Sequence, residues 1–191
     1  MHKVIKCKIS GLTPMLMHNG RLANPIDPIV RAIKEFSGKR NKTDDDHEQI
    51  SRLEFLGGLY LGEDGAPCVT GESLEGMLVE GAKKAKKGRK LKAAISCGET
   101  WPLIYDGPKQ PDALWQDKRF VDVRSVGVQR VKVMRTRPIF KSWALKFEVE
   151  YLPSVVNPGD VKTALEVAAL EVGLSDYRPR FGKFVVDRFE V

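Results

Sequence analysis

Residues 67–78 run Pro67-Cys68-Val69-Thr70-Gly71-Glu72-Ser73-Leu74-Glu75-Gly76-Met77-Leu78. The stretch opens as a short apolar strand and turns at Gly71 into a helix. Thr70 or Ser73 supplies the hydroxyl that caps the first helical turn. Leu74, Met77, Leu78, Gly81, Ala82 and Ala85 then recur at helical spacing, so one face is apolar and closely packed. Gly88 is expected to close the helix. The exposed N–H groups of such a helix start suit a phosphate. A capped strand-to-helix turn accounts for the local pattern by itself.

Working outward, Lys3 to Ile9 (KVIKCKI) alternates and predicts a half-buried strand that Gly11 and Pro14 end. Asp27-Pro28 starts a helix with Asp27 as N-cap and Pro28 in the first turn. Thr43 to Asp46 start a second helix, which stops at Gly57-Gly58. Residues 15–58 therefore read as a helical insert. Leu59 to Val69 predicts a short hairpin turning at Asp64-Gly65. Residues 93–105 suggest a strand broken near Gly98, and residues 120–133 alternate around a turn near Gly127.

The clearest strand is 143–151 (WALKFEVEY), with Trp143, Leu145, Phe147, Val149 and Tyr151 on one face. A helix follows from Asn157, closed by Gly173, and a last strand spans 181–191. This order predicts an α+β fold with a ferredoxin-like β-α-β-β-α-β core. It reads as one domain over 1–191, carrying the insert and a basic hairpin at 119–141. A sheet of this type keeps one open face that can take a single strand of nucleic acid.

The chain has 191 residues, 42% of them hydrophobic and 30% charged, which excludes a disordered chain or a coiled coil. No apolar run approaches the roughly 20 residues of a membrane helix. MHKVIKCKIS lacks the apolar region of a signal peptide, so a cytoplasmic protein with no membrane partner is expected. Cys7, Cys68 and Cys97 are too few and too scattered for a disulfide framework and predict buried free thiols. No cofactor and no metal are expected. Asp44-Asp45-Asp46-His47-Glu48 reads as helix capping, because consecutive side chains diverge rather than converge on an ion.

Lys and Arg number 32 against 25 Asp and Glu, a formal charge of +7. Its placement says more than its size. Seven cations and no acid lie between Lys83 and Lys92, among them Lys83, Lys84, Lys86, Lys87 and Arg89. Lysines also favour helix ends, which explains part of this run. From Arg119 to Lys141, Arg124, Arg130, Lys132, Arg135 and Arg137 interleave with valines, and Asp122 is the single acid. That suits tracking of a single strand, although positive edges also discourage strand aggregation. Near the C-terminus, Tyr177, Arg178, Arg180, Phe181, Gly182 and Lys183 combine phosphate-forking arginines, stacking rings and a close-approach glycine.

Three marks carry a resemblance: Gly11-Leu12-Thr13-Pro14-Met15-Leu16 after the first strand, Pro67 to Leu78 opening a helix, and Arg178-Pro179-Arg180-Phe181-Gly182-Lys183-Phe184 before the last strand. Together and in this order they resemble the RAMP superfamily, the RNA-binding subunits of CRISPR effector complexes. The likeness is greatest to the backbone subunit. It implies an RRM-type palm, a hairpin thumb at 119–141, and single-stranded RNA, other such subunits and further copies of the chain as partners. Glu75 stands where the family pattern has lysine, and the terminal loop keeps only Gly173 and Gly182.

Single-stranded DNA remains open as the ligand, because contact to the ribose 2′-hydroxyl has no sequence signature. Two other readings stay beside strand binding. His18 follows the first strand, where RAMP-type nucleases are similar in placing a general base, so an endoribonuclease is one alternative. Target-cleaving relatives use an acid in that region, for which Asp27 is the candidate. A protein-interaction module acting on a CRISPR or other complex is the second alternative.

Overall fold

The computed structural model describes residues 2–128 and 131–191, with Val128 described by its backbone alone. The chain runs β1 (Lys3–Gly11), β2 (Met15–Leu16), α1 (Pro28–Ser37), α2 (Asp44–Gly58), β3 (Cys68–Thr70), α3 (Gly71–Lys83), α4 (Gly88–Ala94), β4 (Ile95–Ser96), β5 (Thr100–Ile104), α5 (Pro111–Gln116), β6 (Val121–Val128), β7 (Val131–Phe140), β8 (Ala144–Tyr151), α6 (Pro158–Val167) and β9 (Phe184–Glu190). This is a mixed α+β fold with antiparallel sheets. It divides into two compact units: Met1–Leu16, Leu61–Asp106 and Phe140–Val191 form the first, Met17–Tyr60 and Gly107–Ile139 the second.

In the first unit the sheet order is β3-β5-β8-β1-β9, with β4 also pairing β8. Every neighbouring pair is antiparallel. Ile5, Cys7 and Ile9 of β1 and Leu145, Phe147 and Val149 of β8 are buried, and Lys6 and Lys146 between them are exposed. The alternation expected from 3–9 and 143–151 is thus realised. α3 and α6 pack on each other. A Cβ on Gly81 would come within 2.2 Å of the Ala164 carbonyl oxygen, so only glycine allows this approach. Leu74, Met77 and Leu78 are fully buried, each worth about 1.5–3 kcal/mol in apolar transfer. The three cysteines are buried and free. Burial pushes the Cys7 thiol up to about 12.

Several boundaries differ from expectation. α3 ends at Lys83, and Gly88 opens α4 instead of closing α3. The corner is tight: a Cβ on Gly88 would meet the Lys83 side chain at 2.8 Å. Ala93 and Ala94 complete α4, so the strand expected from 93 begins at Ile95 and is split at Gly98 (φ 66) into β4 and β5. Gly127 is a paired position of β6, opposite Lys132, and not a turn. The 59–69 hairpin shrinks to one bridge, Leu61 with Pro67. The last strand begins at Phe184 because Gly182 and Lys183 hydrogen-bond to the exit of β1 instead of to a ladder.

The second unit is built from α1, α2, α5 and the β6–β7 hairpin. Asp27 caps α1, its carboxylate accepting from the Ile29 N–H at 2.9 Å. Thr43 and Asp46 form a capping box at the start of α2. Lys39 pairs with Asp46, and together with Thr43 it lowers that carboxyl from 3.8 to about 2. The α2 carboxylate Glu54, 6% exposed, accepts from Arg135 and from the buried Thr136 N–H (2.9 Å) of β7. Phe55 of α2 packs on Trp115 of α5 at 5.5 Å between ring centroids.

Three outcomes follow for stability. Gly182 has φ 75, and a Cβ there would sit 1.9 Å from the Leu174 carbonyl oxygen. Gly182→Ala should therefore cost about 2–4 kcal/mol in urea unfolding, whereas Gly127→Ala, which meets open space, should change stability by less than about 1 kcal/mol. Glu54→Ala strands the Thr136 N–H and frees Arg135, so a loss of about 2–3 kcal/mol is expected in the same assay. Asp46 stabilises fully above its unfolded value of 3.8, and that contribution is lost as pH falls through about 2. Acid titration followed by circular dichroism should show wild type losing more stability over that window than Asp46→Asn.

Candidate nucleic-acid interface

The segment before β9 forms a loop stapled to the exit of β1. The Leu12 N–H donates to the Lys183 carbonyl at 2.7 Å, and the Gly182 N–H to that of Pro14 at 2.8 Å. The Lys183 N–H donates to the Thr13 hydroxyl at 2.9 Å. Trp143 donates its indole N–H to the Thr13 carbonyl at 2.9 Å. Inside the loop, the Leu174 N–H donates to the Gly182 carbonyl at 2.8 Å. Backbone groups are thereby satisfied internally, and side chains are left for the surface.

Tyr177, Arg178 and Arg180 are exposed, and Lys183 is half-buried. Phe181 and Gly182 are buried and form the base of the loop; Phe181 packs beside Tyr177, with ring centroids 5.7 Å apart. Among the described residues, Arg178 and Arg180 have no acidic partner. The structure thus gathers two cations and a ring on one hydrogen-bonded loop. Leu12, 56% exposed on the facing loop, belongs to the first mark of the resemblance but was not among the candidate contact residues.

The open face of the sheet has a different character. Lys6 lies 3.9 Å from Glu148, Lys8 3.7 Å from Asp187, and Arg188 2.5 Å from Glu190. Cations and carboxylates alternate across the central strands β8, β1 and β9, and these pairs compensate one another. Trp101, whose indole N–H donates to the Cys97 carbonyl at 2.5 Å, borders this face. Lys146 is the exposed cation of β8 without an acidic partner here, and among the described residues the open face lacks the central row of exposed rings that a stacking platform uses.

In the run from Lys83 to Lys92, Lys83 pairs with Glu80, Lys84 with Glu171 and Lys87 with Asp160. The side-chain hydrogen bond from Lys87 lowers the Asp160 carboxyl. Lys83 thus braces α3 within its own last turn, and Lys84 and Lys87 tie the turn after α3 to neighbouring helices. Lys86, Arg89 and Lys92 remain exposed. Glu75, at the position where the resemblance expects lysine, accepts from the Cys97 N–H at 2.8 Å and holds the β4–β5 connection.

In the second unit, the β6–β7 ladder sets Asp122 opposite Arg137, Arg124 opposite Arg135, and Val126 opposite Val133, all on one face. Asp122 pairs with Arg124, and Glu54 with Arg135. The other face carries Met134 and Val123, 60% and 54% exposed. Lys132 is exposed. Arg130 lies outside the described residues. The hairpin is therefore less nakedly basic than its sequence, and its apolar face, of which Val123 was not anticipated, is the more exposed. His18 is exposed at the rim of a groove in the same unit. Asp27 is committed to the α1 cap and to Arg21. Asp46 is committed to the α2 cap.

No family model matches the chain, and no curated protein sequence matches it. Among solved structures it is similar to a chain from the cryo-EM structure of the Type III-B Cmr-beta bound to cognate target RNA. The TM-score is 0.54 at 8% identity, and the match covers 99% of this chain and 60% of that one. The present chain thus spans about 60% of the length of that neighbour. Over nearly all of its residues, the chain shares its fold with a component of that RNA-bound structure.

Proposed function

We propose that this chain binds single-stranded RNA as a RAMP-like subunit, the kind of module that assembles with other subunits in a CRISPR effector complex. The observation that carries this reading is the likeness of fold, over 99% of the chain, to a chain of an RNA-bound Cmr structure. The order β9-β1-β8-β5, antiparallel throughout and linked by α3 and α6, supports a ferredoxin-like core beneath it. In this reading residues 1–191 form one RAMP-like domain, and the second unit elaborates it.

Strand contact is carried by the loop before β9, through Arg178 and Arg180 on phosphate and Tyr177 on a base. The hairpin adds Lys132 as a further cation and Met134 and Val123 as apolar contacts. The paired charges of the open sheet face favour this loop over the sheet as the contact surface. Recognition of this kind tracks backbone charge and ring faces, so sequence preference is weak.

Binding of fluorescent single-stranded RNA should fall linearly in log K against log salt, with a slope of about −0.7 per phosphate neutralised. The double variant Arg178→Glu/Arg180→Glu should weaken binding to all sequences alike and flatten that slope by about 1.4. Absence of binding by wild type at low salt, or an unchanged slope in the variant, would sink the assignment. The same titration with single-stranded DNA of matching sequence decides between the two strands, tighter RNA binding being expected.

A further inference from the structure

The second unit holds a groove of about 560 Å³ between α1 and the inner face of the β6–β7 hairpin. We propose that this groove is a binding site for a nucleotide, with its base between apolar walls and its phosphate on the cationic side. The volume lies in the range of small-molecule sites, about 300–1,000 Å³. Ile33 and Leu22 line one wall and Val126 the hairpin wall. Lys34, Arg135 and Arg137 line the same space.

The charge is arranged and not incidental. Glu54 is buried and fixed by two donors, Arg135 and the Thr136 N–H, so the Arg135 guanidinium is held in one place at the groove. A guanidinium fixed in this way offers both forked N–H donors to a phosphate and a flat face to a ring. Lys34, on α1, has no acidic partner among the described residues. Counting Arg124 and Asp122 on the same hairpin face, four cations stand against two carboxylates, a surplus that matches a phosphate dianion. An apolar slot with a cationic side fits an amphipathic anion better than either a neutral ring or inorganic phosphate. The inference does not rest on strand binding by the loop before β9.

Isothermal titration of the full chain with AMP tests it, with adenosine and inorganic phosphate as partial probes. AMP should bind with Kd below about 1 mM, and each partial probe at least about tenfold more weakly. Val126→Trp fills the groove from a partly exposed strand position. Lys34→Glu reverses its charge from an exposed helix position. Each should weaken AMP by about tenfold or more with the melting temperature kept. A tetranucleotide RNA whose affinity drops in Val126→Trp assigns the site to a nucleotide within a strand, and AMP sensitivity alone assigns it to a free nucleotide. No heat with AMP up to about 10 mM, equal binding of AMP and phosphate, or AMP binding unchanged in both variants would overturn the proposal.

Discussion

The first unit depends on main-chain hydrogen bonding between two loops far apart in sequence. The Gly11-Leu12-Thr13-Pro14 exit of β1 and the Gly182-Lys183 approach to β9 satisfy one another's backbone groups. Buried N–H and C=O groups without partners would cost about 1–3 kcal/mol each, so this mutual arrangement leaves the chain little choice of path. Trp143, at the start of β8, extends the lock to a third strand through the Thr13 carbonyl. Gly182 is indispensable to it, since any side chain would collide with the Leu174 carbonyl. Because the backbone is occupied inward, Tyr177, Arg178 and Arg180 are presented outward on a fixed frame.

Much of this was legible in residue patterns. Two-residue alternation in 3–9 and 143–151 located the central strands β1 and β8, because one face is buried and the other wet. Asp27-Pro28 and Thr43 with Asp46 located helix starts, because capping chemistry is local. The register of β1 between β8 and β9 was not legible, nor was the bulge between Lys8 and Ile9, because pairing is decided by distant partners. The α3–α4 corner was misplaced for a similar reason. Gly88 looks like a terminator in sequence, but it is small because Lys83 and the end of α3 lie against it.

Charge was the least legible feature. The runs 83–92 and 119–141 are rich in cations, yet several of those cations meet carboxylates drawn from other elements. Lys87 with Asp160 and Arg135 with Glu54 lie 73 and 81 residues apart in sequence. Lys84 with Glu171 follows the same pattern. Such pairs tie helices and strands together in the fold, and they subtract from the field available to a ligand. Among the described residues, what survives as unmatched positive charge is more local than the net +7 suggests, and it includes Arg178 and Arg180 on one loop, Lys86, Arg89 and Lys92 around α4, Lys132 on the hairpin, Lys146 on the open sheet face and Lys34 beside one groove. The phosphate-facing role of a basic run cannot be read until its acids are found.

The bulge between Lys8 and Ile9 has a consequence for how the molecule meets its own copies. β9 is the last strand of the sheet order, so its outer edge carries backbone donors and acceptors with no further strand beside them among the described residues. A bulge increases local twist, and Asp187, Arg188 and Glu190 crowd this short strand with charge of both signs. A second chain approaching edge-on meets a twisted, hydrated border instead of a flat template. Sheet extension into fibres is thereby disfavoured.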